Sequence, residues 1–169
     1  MGHLRNAALG DTLCRLLRFQ GTSVEVQNYI DDTGVQVADV VVGFCQLAHK
    51  PLEEIRQLAA TPGFDYYCWD LYTKVASFYD TSPENRKLRD QTLREIEADE
   101  GETAAIARHV SQTIVQCHLA TMSRLGVAYD LLPKESDILQ LNFWSHAFEL
   151  LYVSQNVVSG CRGTRAGYS

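Results

Sequence analysis

Apolar residues recur close to every 3.6 positions from Leu4 to Phe19, at Leu4, Ala8, Leu9, Leu13, Leu16 and Leu17, and the run stops at Gly21. The spacing predicts a first helix over 4–19, with a glycine just past its carboxyl end. Residues Ser23 to Ile30 alternate and then turn apolar, as a strand entering a buried sheet does. Asp31-Asp32-Thr33-Gly34 breaks the pattern, and a helical period resumes over 35–47. Helix, strand, turn and helix in that order predict an α/β fold. They read as the continuation of a β-α-β unit whose first strand would precede Met1.

Beyond Pro51 the pattern predicts helices over 51–60, 64–80, 83–99 and 102–125. Thr61-Pro62-Gly63 and Thr81-Ser82-Pro83 separate the first three, and the acidic run from Glu95 to Glu102, interrupted by Gly101, separates the last two. Residues 127–132 form a short strand candidate. Glu135-Ser136-Asp137 then opens an apolar helix through Phe143, Trp144, Phe148, Leu150 and Leu151, with Ser136 as its predicted N-cap. Residues 159–169 lose all periodicity and predict a disordered tail.

Composition narrows the class. The chain has 169 residues, 46% hydrophobic and 21% charged, enough apolar material for one packed core. No apolar run approaches the roughly 18–20 residues that cross a bilayer, and the start has no secretory leader pattern, so no membrane partner and a cytoplasmic location are expected. Cys14, Cys45, Cys68, Cys117 and Cys161 are widely spaced and contain no Cys-x-x-Cys pair. They predict reduced thiols and no metal site. The net charge is −6, and Lys50, Lys74, Lys87 and Lys134 are the only lysines, so no basic face for nucleic-acid phosphates stands out.

Two segments carry candidate chemistry. A helix opened by a glycine-containing turn presents free backbone N–H groups and the positive end of its dipole to a phosphate. Gly2 would admit a nucleotide closely, His3 could donate to a phosphate oxygen as charge builds, and Arg5 and Asn6 lie in the first turn beside it. The second segment sits at a predicted strand end, where open α/β sheets bind ligands. There Asn28 and Tyr29 leave the strand, and Asp32, Gly34 and Gln36 occupy the loop and next helix start. Asp31 and Thr33 are better read as tight-turn residues.

Read together, Gly2-His3-Leu4-Arg5-Asn6-Ala7-Ala8-Leu9-Gly10-Asp11 and Asn28-Tyr29-Ile30-Asp31-Asp32-Thr33-Gly34-Val35-Gln36 resemble the arginyl-tRNA synthetases, a class I synthetase family. Leu125-Gly126-Val127-Ala128-Tyr129-Asp130 and Glu135-Ser136-Asp137 are similar to the family's return from its inserted region. The resemblance implies a partial Rossmann-like nucleotide-binding fold with a mostly helical insertion. Residues 1–47 would be the first part of the catalytic domain, 48–126 the insertion, 127–158 the return toward the sheet and 159–169 the tail. It also implies an arginine–tRNA ligase that uses ATP with Mg2+ and no bound organic cofactor, with arginine and tRNA as the other partners and no DNA. His3 would be catalytic, Gly2, His3, Arg5 and Asn6 would bind ATP, and Asn28, Tyr29, Asp32, Gly34 and Gln36 would line the substrate pocket.

Departures from the family qualify that expectation. Met1 replaces the usual small apolar residue of the His-x-Gly-His turn, the first His is missing, and no Lys-Met-Ser-Lys-Ser-type loop occurs. The expectation is therefore a fragment truncated at both ends and inactive alone. The alternatives are a non-catalytic nucleotide- or partner-binding remnant, or another class I nucleotidyl transferase. His109 and His118 read as helix positions, not ligands. Tyr66, Tyr67, Trp69, Tyr72 and Tyr79 read as packing more than as a base-stacking platform, and Glu95, Glu97, Asp99 and Glu100 read as a solvated stretch.

Overall fold

Between Val35 and Phe44 only Gln36 and Asp39 are polar, and this stretch is the centre of the molecule. The structure, a computed structural model, describes residues 2–140 together with positions 147, 148 and 150. Its helices are α1 (Gly2–Phe19), α2 (Val35–Val42), α3 (Leu52–Ala59), α4 (Phe64–Asp80), α5 (Pro83–Glu97), α6 (Gly101–Arg124) and α7 (Glu135–Gln140). The apolar helix predicted beyond Gln140 and the tail predicted over 159–169 lie mostly outside the described residues.

Helix α2 packs against α4, α5 and α6, and α3 packs against α6. Ala38, Val41, Phe44, Ile55, Phe64, Cys68 and Val110 are among the buried side chains of this core. Phe44 stacks on Phe64 and Tyr67 at centroid distances of 6.1 and 5.8 Å. The 35–47 helix is not uniform, because its last turn, Gly43–Leu47, widens to a π-helix. At Gly43 a Cβ would stand 3.0 Å from Leu71 Cβ and 3.2 Å from Val75 Cγ2, so glycine lets α2 and α4 approach closely. Of the aromatic run, Tyr67 and Tyr79 pack inward, whereas Tyr66 and Trp69 stay 77% and 64% exposed.

One buried charge crosses this core. Asp39 is 4% exposed, and its Oδ1 accepts from Tyr79 Oη at 2.7 Å and Arg89 Nε at 2.8 Å. Arg89 Nη2 reaches Asp39 Oδ2 at 3.0 Å, and the guanidinium lies 4.6 Å from the centre of the Tyr79 ring. The fork matches the carboxylate, so the charge is paired as burial demands. Burial, then the bond to Asp39, pushes the Tyr79 phenol up. At the start of α5, Ser82 Oγ accepts from Glu84 N–H at 3.2 Å and Pro83 takes the first helical position.

The two predicted strands, 23–30 and 127–132, are not formed as strands among the described residues. Instead, extended segments meet in isolated parallel bridges, Gln27 with Leu131 and Ile30 with Lys134. Asn28 N–H donates to Leu131 O at 3.0 Å, Ile30 N–H to Pro133 O at 2.8 Å, and Glu135 N–H to Ile30 O at 2.9 Å. The ladder is interrupted at Pro133, which has no N–H to give back across the pair. Helix α1 joins this pair and not the core. Arg15 Nη2 donates to Gly126 O at 3.0 Å, and Arg18 Nη2 to Val24 O at 3.1 Å and Asp130 Oδ2 at 3.3 Å.

Candidate functional site

The first candidate group lies at the opening of α1. Gly2 starts the helix, and His3, Arg5 and Asn6 are exposed. No acidic residue occupies the first turn, so the positive end of the helix is not neutralised by its own side chains. Its leading N–H groups have no intrahelical acceptor. The side-chain hydrogen bonds of α1 to the rest of the chain come from Arg15 and Arg18, toward its other end.

The second group lies where the paired segments end. Asn28 is half-buried and held through its backbone, Tyr29 is 53% exposed, and Gln36 is exposed in the first turn of α2. Desolvation first, then the charges of Glu135 and Asp31, pushes the Tyr29 phenol up. Gly34 caps α2 without a side-chain bond, and a Cβ there would stand 2.6 Å from Asp31 Oδ2. A side chain at this position would have to displace the exposed Asp31 carboxyl, which now occupies that space.

Asp32 proves to have a partner that the sequence reading did not assign. Its Oδ1 accepts from Ser136 N–H at 2.9 Å, and its Oδ2 accepts from Ser136 Oγ at 2.7 Å. Ser136 is therefore not the cap of its helix. It stands inside α7, and Asp32 supplies the capping acceptor from across the pair. Thr33, 9% exposed, donates through Oγ1 to Glu135 Oε2 at 3.0 Å. Thr33 and Glu135 were absent from the expected site, and the Glu135-Ser136 dipeptide of the return segment was the signal that pointed to them.

Asp32, Thr33, Lys134, Ser136 and Asp137 form one side of a cleft of about 560 Å3, whose other side includes Glu97, Arg108 and Gln112. The cleft thus opens between the paired segments and the helical core. No hydrogen bond or ion pair joins His3, Arg5 or Asn6 to the Asn28–Gln36 stretch among the described residues. Nor do three His, Cys, Asp or Glu side chains converge there on a metal position.

Both candidate segments lie within a family match. Residues 1–136 match the family described as tRNA synthetases class I (R), catalytic domain, and the chain belongs to it. Among curated relatives, the arginine–tRNA ligase of Thermococcus kodakarensis is 36% identical over 171 residues, covering 99% of this chain and 27% of that protein. The arginine–tRNA ligase of Pyrococcus abyssi is 36% identical over 173 residues, with the same shares. A bacterial relative, the arginine–tRNA ligase of Deinococcus radiodurans, is 32% identical over 170 residues, covering 99% of this chain and 25% of that protein. The chain spans about a quarter of the length of the curated relatives it matches.

Proposed function

We propose that this chain contributes one wall of an ATP-dependent arginyl-adenylate site, within an arginine–tRNA ligase. The observation that carries the reading is the family match over residues 1–136, which contains both candidate segments. In the reaction, the arginine carboxylate attacks the α-phosphorus of ATP and pyrophosphate leaves. The tRNA 3′-terminal ribose then takes the arginyl group. Neither step needs a protein nucleophile, so residues act by positioning and by meeting developing charge.

Gly2, His3, Arg5 and Asn6 would face the triphosphate, with the free N–H groups of α1 assisting. His3 would donate to a phosphate oxygen where charge grows in the transition state. Mg2+ would arrive with ATP as part of the substrate and shield its phosphates. Asn28, Tyr29 and Gln36 would face the substrate pocket, with Gly34 giving the loop its tight path. Asp32 would serve that wall through Ser136. The two bridged segments would be neighbours in a Rossmann-like sheet, and the cytoplasm, where tRNA is charged, would be the location.

The site is tested by putting residues 1–136 in place of the matching stretch of the Thermococcus kodakarensis enzyme and measuring arginine-dependent ATP–pyrophosphate exchange. His3→Ala in that graft is expected to lower kcat by about 10² to 10³, the usual effect of removing one transition-state donor. An unchanged kcat would overturn the role of His3.

A further inference from the structure

Helix α1 is held at one end. Among the described residues, its side-chain hydrogen bonds to the rest of the chain come from Arg15 and Arg18, in its carboxyl third. Asp11 Oδ2 accepts from Arg15 Nε at 2.7 Å, which leaves Arg15 Nη2 for Gly126 O at 3.0 Å. Arg18 Nη2 spans Val24 O at 3.1 Å and Asp130 Oδ2 at 3.3 Å. The same Asp130 oxygen accepts from Val26 N–H at 2.8 Å, while Asp130 N–H donates back to Val26 O at 2.8 Å. One carboxylate oxygen therefore joins α1, the first extended segment and the return segment. Neither Arg18 nor Asp130 belongs to the candidate site.

We propose that Asp130 is a positioning residue for the ATP site: through Arg18 it sets the direction of α1, and so the place of His3 and Arg5 relative to the Asn28–Gln36 loop.

Helix geometry makes that direction matter. At a rise of about 1.5 Å per residue, Arg18 lies about 22 Å along α1 from His3, so a tilt of about 5° at the anchored end swings His3 by about 2 Å. Misplacing a positioned group by about 1 Å can cost about 10²-fold in rate. Apolar contact leaves the angle loose. Ala7, Asp11, Cys14 and Leu17 are half-buried, Leu9, Leu13 and Leu16 are exposed, and apolar burial has no preferred direction. A guanidinium on two placed acceptors does have one. The Arg18 and Asp130 side chains are 50% and 51% exposed, so their pair adds little to stability. What it supplies is orientation.

The consequence for ATP rests on reading the opening of α1 as its triphosphate-facing end, and two measurements separate the anchor from that reading. On the full chain without ligand, residual dipolar couplings give the direction of α1 against α4. In the natural chain both helices should fit one alignment. Asp130→Ala and Arg18→Ala should lose that fit in α1 while α4 keeps it. Asp130→Asn should behave as the natural chain, because its carbonyl oxygen has two lone pairs and takes the bonds from both Val26 and Arg18. The second measurement is ATP–pyrophosphate exchange with residues 1–136 carried in the Thermococcus kodakarensis enzyme. There Asp130→Ala and Arg18→Ala should each lower kcat/KM for ATP by about 10²-fold with KM for arginine unchanged. The double variant should fall no further than either single one, since both remove the same link, and Asp130→Asn should restore the rate. No exchange even with the natural residues would count against the adenylate reading, and the full-chain couplings would then decide on Asp130. An unchanged α1 direction in Asp130→Ala, or an Asp130→Asn variant as impaired as Asp130→Ala, would overturn the proposal.

Discussion

His109 on α6 is half-buried, and its Nε2 has no hydrogen-bond partner among the described residues. Desolvation first, and then Arg56, pushes its pKa down. A base whose folded-state pKa is depressed contributes stability above its ordinary value, near 6.5, and loses it as pH falls. Urea midpoints should therefore drop between pH 7.5 and pH 5, and His109→Leu should flatten that drop; an equal slope in both chains would remove His109 as the cause. Desolvation first pushes the Glu135 carboxyl up, which acts with the opposite sign, so Glu135→Gln separates the two contributions. The sequence placed His109 as a partly exposed helix position, and its half-burial agrees. What it could not supply was the missing partner, because helix phase gives a face but not the polar atoms of α3 opposite it. Asp39 is the converse case. A lone acid among Val37, Ala38, Val40, Val41 and Val42 signals a buried, paired charge, but its partners sit 40 and 50 positions away.

Helix boundaries were readable because punctuation is local. Ser82-Pro83 opens α5, and Pro62-Gly63 precedes α4, as the breaks predict. The widened turn at Gly43–Leu47 was not readable, since it depends on how α2 meets Leu71 and Val75 of α4. The strand pair was half readable. Both segments were located as strand candidates, the first by its alternation, but Pro133 interrupts the ladder and leaves two bridges. The Asp39–Tyr79–Arg89 contact adds a polar tie between α2, α4 and α5 to the apolar core they share. Arg89→Ala leaves the buried Asp39 without its counter-charge. It should cost about 2–3 kcal/mol in urea unfolding, below the ~3–5 for a fully buried pair because Arg89 reaches solvent. A loss under about 0.5 kcal/mol, the size of an ordinary surface change, would mean that the pair carries no net stability.

The described chain has two unlike parts. Helices α2 to α6 share a buried core, whereas α1 leaves Leu9, Leu13, Leu16 and Phe19 between 57% and 91% exposed. The chain also spans about a quarter of the length of the curated relatives it matches. Family membership was legible because the residues from Gly2 to Asp11 and from Asn28 to Gln36 stand in order within the matched stretch. The pairing of the loop with Glu135 and Ser136 was not, since its partners are more than 100 positions apart and only the folded chain brings them together. A graft of residues 1–136 into the Thermococcus kodakarensis enzyme gives both parts the surroundings that this relative provides. The measurement is ATP–pyrophosphate exchange by that graft with each amino acid in turn. Exchange should appear with arginine and stay at background with lysine and the others. A folded graft without arginine-dependent exchange, or one that responds to a different amino acid, would contradict the account.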